Sequence, residues 1–230
     1  MLGTIVNTCT IIVGSVLGAA MHRGVKEKYC VILYDGLGLV SLAIGLNAAV
    51  NNLPKSTFPV LFIVSIALGG VIGTWIDIDK RFSRLVDQYS ARPGERNKLS
   101  QGLSAAILLY CVGPLSMLGP VISALKADNT FLFTNATLDL ISSIVFASTY
   151  GIGMVLAAPA LFCWQGMFYA ITKVSSSAIS DQLMTELLIV GGLLITGSGL
   201  ALLNIKNVKT LNFLPALLVP VIWFLLKSFL

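Results

Sequence analysis

The chain has 230 residues, 56% of them hydrophobic and only 11% charged, with a mean hydropathy of +0.90 and a formal net charge of +5. Soluble domains carry about 25% charged residues, so the composition excludes a soluble protein and points to one integral membrane domain, residues 1–230. The basic excess sits in loops, where it reads as orientation and contact with anionic lipid headgroups rather than as a nucleic-acid surface.

At about 20 apolar residues per span, the length suits an all-α, polytopic transmembrane bundle of about seven spans, with six to eight as the range. The first helix runs from about Gly3 to Met21 and has no basic region before it, so it reads as a retained span. It holds Gly14-x-x-x-Gly18, a surface for close helix approach, and polar Asn7, Thr8 and Thr10. A basic loop, 22–30, follows. The second helix, Val31 to Val50, contains Gly36, Gly38 and Gly45 and stops at Asn51-Asn52-Leu53-Pro54. The third, Phe58 to Ile76, carries Gly69-x-x-x-Gly73.

The longest polar stretch comes next, 77–100. Phe82, Leu85, Val86 and Tyr89 recur there at helical spacing, as in a short helix lying on headgroups. The fourth span, Gln101 to Leu125, is interrupted by Gly113-Pro114 and by Gly119-Pro120. A polar link then leads to Leu138–Lys173, which holds no charge between Asp139 and Lys173. One straight helix of that length would measure about 50 Å, against about 30 Å of hydrocarbon. Two passes are therefore expected, broken at Gly151, Gly153 and Pro159; one broken pass is the rival. Leu183–Leu203 and Leu211–Phe229 complete the set.

Nine of the fifteen Lys and Arg residues lie in the loops 22–30 and 77–100. The positive-inside rule places both loops in the cytoplasm. A shift of 154 residues lays Gly38, Leu39, Gly45 and Leu46 on Gly192, Leu193, Gly199 and Leu200. This makes 3–76 and 157–230 candidate halves of an inverted repeat, linked by 77–156. Inverted repeats are a common construction of secondary transporters.

The opening GTIVNTCTIIVGSVLG, the GLGLVSLAIGLN of the second helix, the LDLISSIVFASTYGIGMVLAAP stretch and the closing GGLLITGSGLALLNIKNVKTLNFLPALL resemble an uncharacterised bacterial inner-membrane family. It is the YqgA/YdfK-like family, domain of unknown function 554. The most specific positions are Val6-Asn7, Leu138-Asp139, Gly151-Ile152-Gly153, Gln165-Gly166, Ile205-Lys206 and Asn212-x-Leu214-Pro215. The family's link before Asp139 tends to read GxxGDxxxLxxKAxLD; here Asn135 stands at the lysine and Ala127 at the second glycine. The resemblance implies a multi-pass helical fold in the bacterial cytoplasmic membrane and no particular substrate.

No nucleophile elbow, zinc motif or P-loop is visible, so no enzyme activity is expected. With one histidine, His22, and four scattered cysteines, neither a metal site nor a cofactor is expected. The informative residues are polar groups at membrane depth, which are costly unless partnered. Asn7 and Gln165 are amides in apolar helices, and Asp139 reads as an acid opening a helix at the outer mouth. With Asn212 they form the candidate substrate-binding set, each with a plain packing or capping alternative. Asp35 and Glu186 lie near helix starts and read as solvated or capping. The expected function is movement of a small unidentified solute or ion. A non-transporting scaffold, regulatory or lipid-interacting protein and a small channel are the alternatives. Membrane lipids and a second copy of the chain are the expected partners, and the two Gly-x-x-x-Gly faces are surfaces for close helix approach within a protomer or between two.

Overall fold

The computed structural model describes residues 1–21, 27–81, 84, 103, 106, 107, 109–111, 113–175 and 180–229. The expected surface helix on Phe82, Leu85, Val86 and Tyr89, most of the loop 22–30 and the start of the fourth span lie outside them. Eight α-helices are described: α1 (Leu2–Ala20), α2 (Glu27–Asn52), α3 (Leu61–Ile76), α4 (Pro114–Lys126), α5 (Thr130–Tyr150), α6 (Ala157–Val174), α7 (Asp181–Leu202) and α8 (Leu218–Phe229). Three 3-10 segments, Leu53–Lys55, Ile152–Leu156 and Thr210–Leu217, join or extend them. Among the described residues no strand is present.

Among the described residues, six segments are long and apolar enough to cross a membrane: Leu2–Ala20, Val31–Lys55, Thr130–Tyr150, Ile152–Val174, Asp181–Leu202 and Thr210–Lys227. Leu61–Ile76 is a shorter apolar helix. The long stretch from Leu138 thus falls in two helical segments, each long and apolar enough to cross a membrane. The chain turns at Gly151, whose φ of 87° is a left-handed conformation that side chains disfavour. Gly153 lies within the 3-10 segment that follows. Pro159 is no break. It is the third residue of α6, where a missing N–H has no helical partner to lose. The expected interruption at Gly119-Pro120 is also absent, since α4 runs through Pro120. The break before it is present, with Gly113 extended and Pro114 first in the helix.

The contacts group the chain into two compact units that interleave in sequence. One comprises Met1–Tyr34 and Phe82–Val174, the other Asp35–Arg81 and Ser175–Leu230.

In the first unit α1 and α5 lie side by side and parallel. A Cβ added to Gly3 would meet Leu132, one on Gly14 would meet the Leu140 carbonyl at 2.6 Å and one on Gly18 would collide with the Ile144 carbonyl. The glycines are therefore what lets the two backbones touch. Gly14-x-x-x-Gly18, expected as a face for close approach within a protomer or between two, is filled inside the chain. The α6 helix runs back along α1: the amine of Met1 is held below its usual pKa, first by partial burial and then by the charge of Lys173 at the far end of α6. Ile11, Met154, Ala158 and Leu161 share the core between them.

In the second unit α2 and α7 are antiparallel. A Cβ on Gly38 would meet the Leu203 side chain at 2.7 Å, and one on Gly192 would meet the Ala49 nitrogen at 2.7 Å. A Cβ on Gly45 would meet the Thr196 nitrogen at 2.5 Å, and one on Gly199 the Leu42 nitrogen at 2.7 Å. Gly192, Thr196, Gly199 and Leu203 are Gly38, Leu42, Gly45 and Ala49 moved by 154 positions. Each close contact therefore recurs with the two helices exchanging roles. Gly69, Gly70 and Gly73 of α3 receive Ala216, Phe213 and Asn212, so this second small-residue face is also filled within the chain.

Candidate functional site

The site grows from the α1–α5 seam. The helix of α5 starts at Thr130, eight residues before the sequence pattern suggests. Asp128 Oδ1 accepts the Thr130 N–H at 2.9 Å and its hydroxyl at 2.7 Å, which starts the helix inside the polar link. Asn129 Oδ1 accepts the Gly3 N–H at 3.2 Å and the Ser123 hydroxyl at 2.7 Å, tying the start of α1 to the α4–α5 turn.

This early start moves Asp139. It does not open a helix or sit at a mouth; it is the tenth of the 21 residues of α5 and 5% exposed. That is about 14 Å along the helix, near the middle of a span-length segment. There Asn7 Nδ2 of α1 donates to Asp139 Oδ2 at 2.9 Å. Asn135 Nδ2, one turn before Asp139, donates to the same oxygen at 2.9 Å. Asn7 is fully buried and Asn135 is 6% exposed. Two amide donors from two helices thus converge on one carboxylate oxygen in an apolar setting.

A second layer supports them. The Ser143 hydroxyl donates to the Asp139 carbonyl at 2.6 Å and lies 2.9 Å from the hydroxyl of buried Tyr110. Thr10 donates to the Asn7 carbonyl at 2.7 Å. Among the described residues, the buried hydroxyls of Thr4 and Ser15, on the α1 face that carries Asn7, find no hydrogen-bond partner. Buried polar groups are nearly always satisfied in folded proteins, so these two mark the seam as unusual.

Gln165 takes another place in the same unit. Fully buried on α6, it donates from Nε2 to the Ser116 hydroxyl of α4 at 3.3 Å, and its Oε1 finds no partner among the described residues. Pro120 supplies no N–H, so the Ser116 carbonyl loses its ordinary helical partner beside this contact. Asn212 belongs to the other unit. Its Oδ1 accepts the Asp79 N–H at 2.7 Å, which makes it a side chain that satisfies free backbone after α3. The structure therefore joins Asn7 to Asp139, gives Gln165 a different neighbour and leaves Asn212 a capping role.

Sequence reasoning missed Asn135, Tyr110, Ser143 and Ser116. Asn135-x-x-x-Asp139 is an i, i+4 pair on one helix face. That signal was hidden because three threonines and two asparagines made the segment look like a link. It also misread Glu186, which is 1% exposed rather than solvated.

The model of the family described as "Protein of unknown function (DUF554)" matches residues 2–225 of the chain. The "Uncharacterized membrane protein YdfK" of Bacillus subtilis (strain 168) is 48% identical over 230 residues, covering 100% of this chain and 98% of that relative. The "Uncharacterized protein YqgA" of Escherichia coli (strain K12) is 26% identical over 227 residues, covering 95% of this chain and 94% of that relative. No solved structure matches the chain.

Proposed function

The chain belongs to the DUF554 family, and from the geometry of its own residues we propose that it is a membrane transporter of a small solute or ion. The observation that carries this reading is the Asp139 carboxylate, buried halfway along a span-length helix between Asn7 and Asn135. An ionisable group at such a depth is costly and faces an interior or a pathway. Amides suit a site that handles small polar species, because each offers two donors and an acceptor without adding charge. A carboxylate favours a cation or a proton over an anion.

The interior packing supports the same reading. The reciprocal contacts between α2 and α7 are those of two elements related by a local two-fold axis, as in an isologous interface. Each candidate repeat half, 3–76 and 157–230, places its first helix mostly or wholly in one unit and its last two mostly or wholly in the other. The α1 and α6 helices run in opposite directions, as do α2 and α7, which is what an inverted repeat requires. The orientation proposed with it puts 22–30 and 77–100 on the cytoplasmic side of a bacterial inner membrane. Labelling of a cysteine introduced in either loop from outside intact cells overturns that orientation. The groove between α3 and α8, lined by Val64, Leu68, Ile72, Val219 and Trp223, suits contact with lipid acyl chains.

The test is thermal stabilisation of the purified protein by a panel of inorganic and small organic cations. A stabilising cation is expected, and Asp139→Asn and Asn7→Ala are expected to abolish its effect, each read against the variant's own melting temperature without the cation. Full response in both variants makes these residues helix–helix glue and favours the scaffold reading.

A further inference from the structure

Between α2 and α3 the chain turns through an elbow, the segment Leu53–Lys55 and residues 56–60. The elbow is pinned from inside. The Ser56 hydroxyl donates to Oε1 of buried Glu186 on α7, and the Ser56 oxygen accepts the Phe58 N–H at 3.1 Å. These bonds fix where Phe58 stands. Its ring meets Trp223 and Phe224 of α8 edge-on, with centroids 5.8 Å away in both cases. The Lys227 ammonium lies over the same ring, 4.8 Å from its centre, where the negative face of the ring attracts a cation.

From this aromatic end a groove of about 640 Å³ runs between α3 and α8, a volume suited to a ligand. The two helices are antiparallel, since Phe58 meets Trp223 while Gly69 meets Ala216. Val64, Leu68 and Ile72 form one wall and Val219 and Trp223 the other, and no charged side chain lines it. From Leu61 to Ile72 the groove follows α3 for about 17 Å. One leaflet is half of the hydrocarbon thickness, about 15 Å. The groove is therefore as long as a leaflet is deep, with its aromatic rings and lysine at the end where a membrane interface places such groups.

We infer that this groove binds one anionic phospholipid, an acyl chain lying along α3 and the phosphate resting on Lys227. Charge selects the headgroup. Lys227 is exposed, and among the described residues no carboxylate pairs with it. Lys55, also exposed, adds a second positive charge to the elbow. Of the acids on α7 near the elbow, Glu186 is 1% exposed and engaged by Ser56, and Asp181 lies five residues before it at the helix start. A zwitterionic lipid carries its own cation beside the phosphate and gains less from the lysine. A second copy of the chain fits less well, because the small-residue face of α3 that would seat another helix already holds Ala216, Phe213 and Asn212.

This inference rests on the reading of the groove as a lipid contact, and it is independent of transport and of Asp139. Of the three tryptophans, Trp75, Trp164 and Trp223, only Trp223 lines the groove. With Trp75→Phe and Trp164→Phe, the fluorescence of the full chain reports that one place. The purified protein in detergent is titrated with phosphatidylglycerol or with phosphatidylcholine, both carrying the same brominated chains, which quench a tryptophan on contact. Saturable quenching is expected, with half-saturation at about fivefold less phosphatidylglycerol than phosphatidylcholine, the pull of about one lysine on an anionic lipid. Lys227→Gln is expected to remove that preference. Lys206→Gln, which deletes the same charge from the link after α7, is expected to leave it.

Equal half-saturation by the two lipids overturns the headgroup site and leaves the groove a plain acyl contact. A preference lost equally in Lys206→Gln and Lys227→Gln overturns it too, since net charge alone then explains the effect. Absence of quenching means that something other than lipid, such as a second copy, covers Trp223, and overturns the lipid contact as well. If the double tryptophan variant does not fold, the same titrations compare the unaltered chain with Trp223→Phe, and the difference between them must show the preference or the inference fails.

Discussion

The α1–α5 seam and the α2–α7 seam are both built on glycine, yet they are used differently. In each, glycines let one backbone rest on another, and a Cβ would meet a carbonyl or amide of the facing helix. Across the α2–α7 seam no side-chain hydrogen bond is made among the described residues. The Thr196 hydroxyl turns back to the Gly192 carbonyl of its own helix at 2.8 Å. Across the α1–α5 seam Asn7 reaches Asp139. One seam is pure packing, which is how small-residue faces serve in most membrane helices. The other uses the same close approach to bring an amide to a buried acid. Close approach is thus a means, and the polar residue placed beside it decides what the seam does.

The largest expected effect tests what the seams share. Gly18→Leu and Gly45→Leu each drive a side chain into facing backbone. Each is expected to lower stability by about 3 kcal/mol, at the upper end of overpacking costs, read as a fall in melting temperature and in yield of folded protein. Equal melting of either variant and wild type would show that its seam opens without cost.

The next effect separates the seams. Asn7→Ala removes one of two donors to a buried carboxylate and is expected to cost about 1–3 kcal/mol. Thr196→Val removes a hydroxyl that bonds the Gly192 carbonyl of its own helix and is expected to cost under about 1 kcal/mol. Denaturation in detergent compares the two, and similar costs would dissolve the distinction between a packing seam and a polar one.

The smallest effect has the opposite sign and lies outside both seams. Ala127 ends α4 in a left-handed conformation, φ 56° and ψ 14°. Ala127→Gly is expected to raise stability by about 1 kcal/mol by relieving the Cβ contact. A melting temperature that falls in this variant would mean that the turn before α5 is held in some other way.

Much of this protein was legible without coordinates. The excess of apolar residues over charged ones dictates a membrane protein, because such a chain has no other solvent in which to expose its surface. The length of the uncharged stretch after Asp139 against the hydrocarbon thickness called for two passes, and Gly151 marked the turn. The 154-residue echo was readable from glycine spacing. Three things needed the tertiary structure. The first was where α5 begins: Asp128 and Asn129 start the helix through bonds to Thr130, Gly3 and Ser123, and that choice places Asp139 in mid-helix beside Asn135. The second was which helices pair, since a Gly-x-x-x-Gly face fits a second copy as well as a neighbour in the same chain, and here both faces are filled internally. The third was the environment of Glu186, which the sequence places near a helix start, where solvent is the ordinary partner, and which the elbow of Ser56 covers. Composition and periodicity report what each segment prefers on its own. Burial and partnership of a polar atom are properties of the pair, and only the folded chain determines the pair.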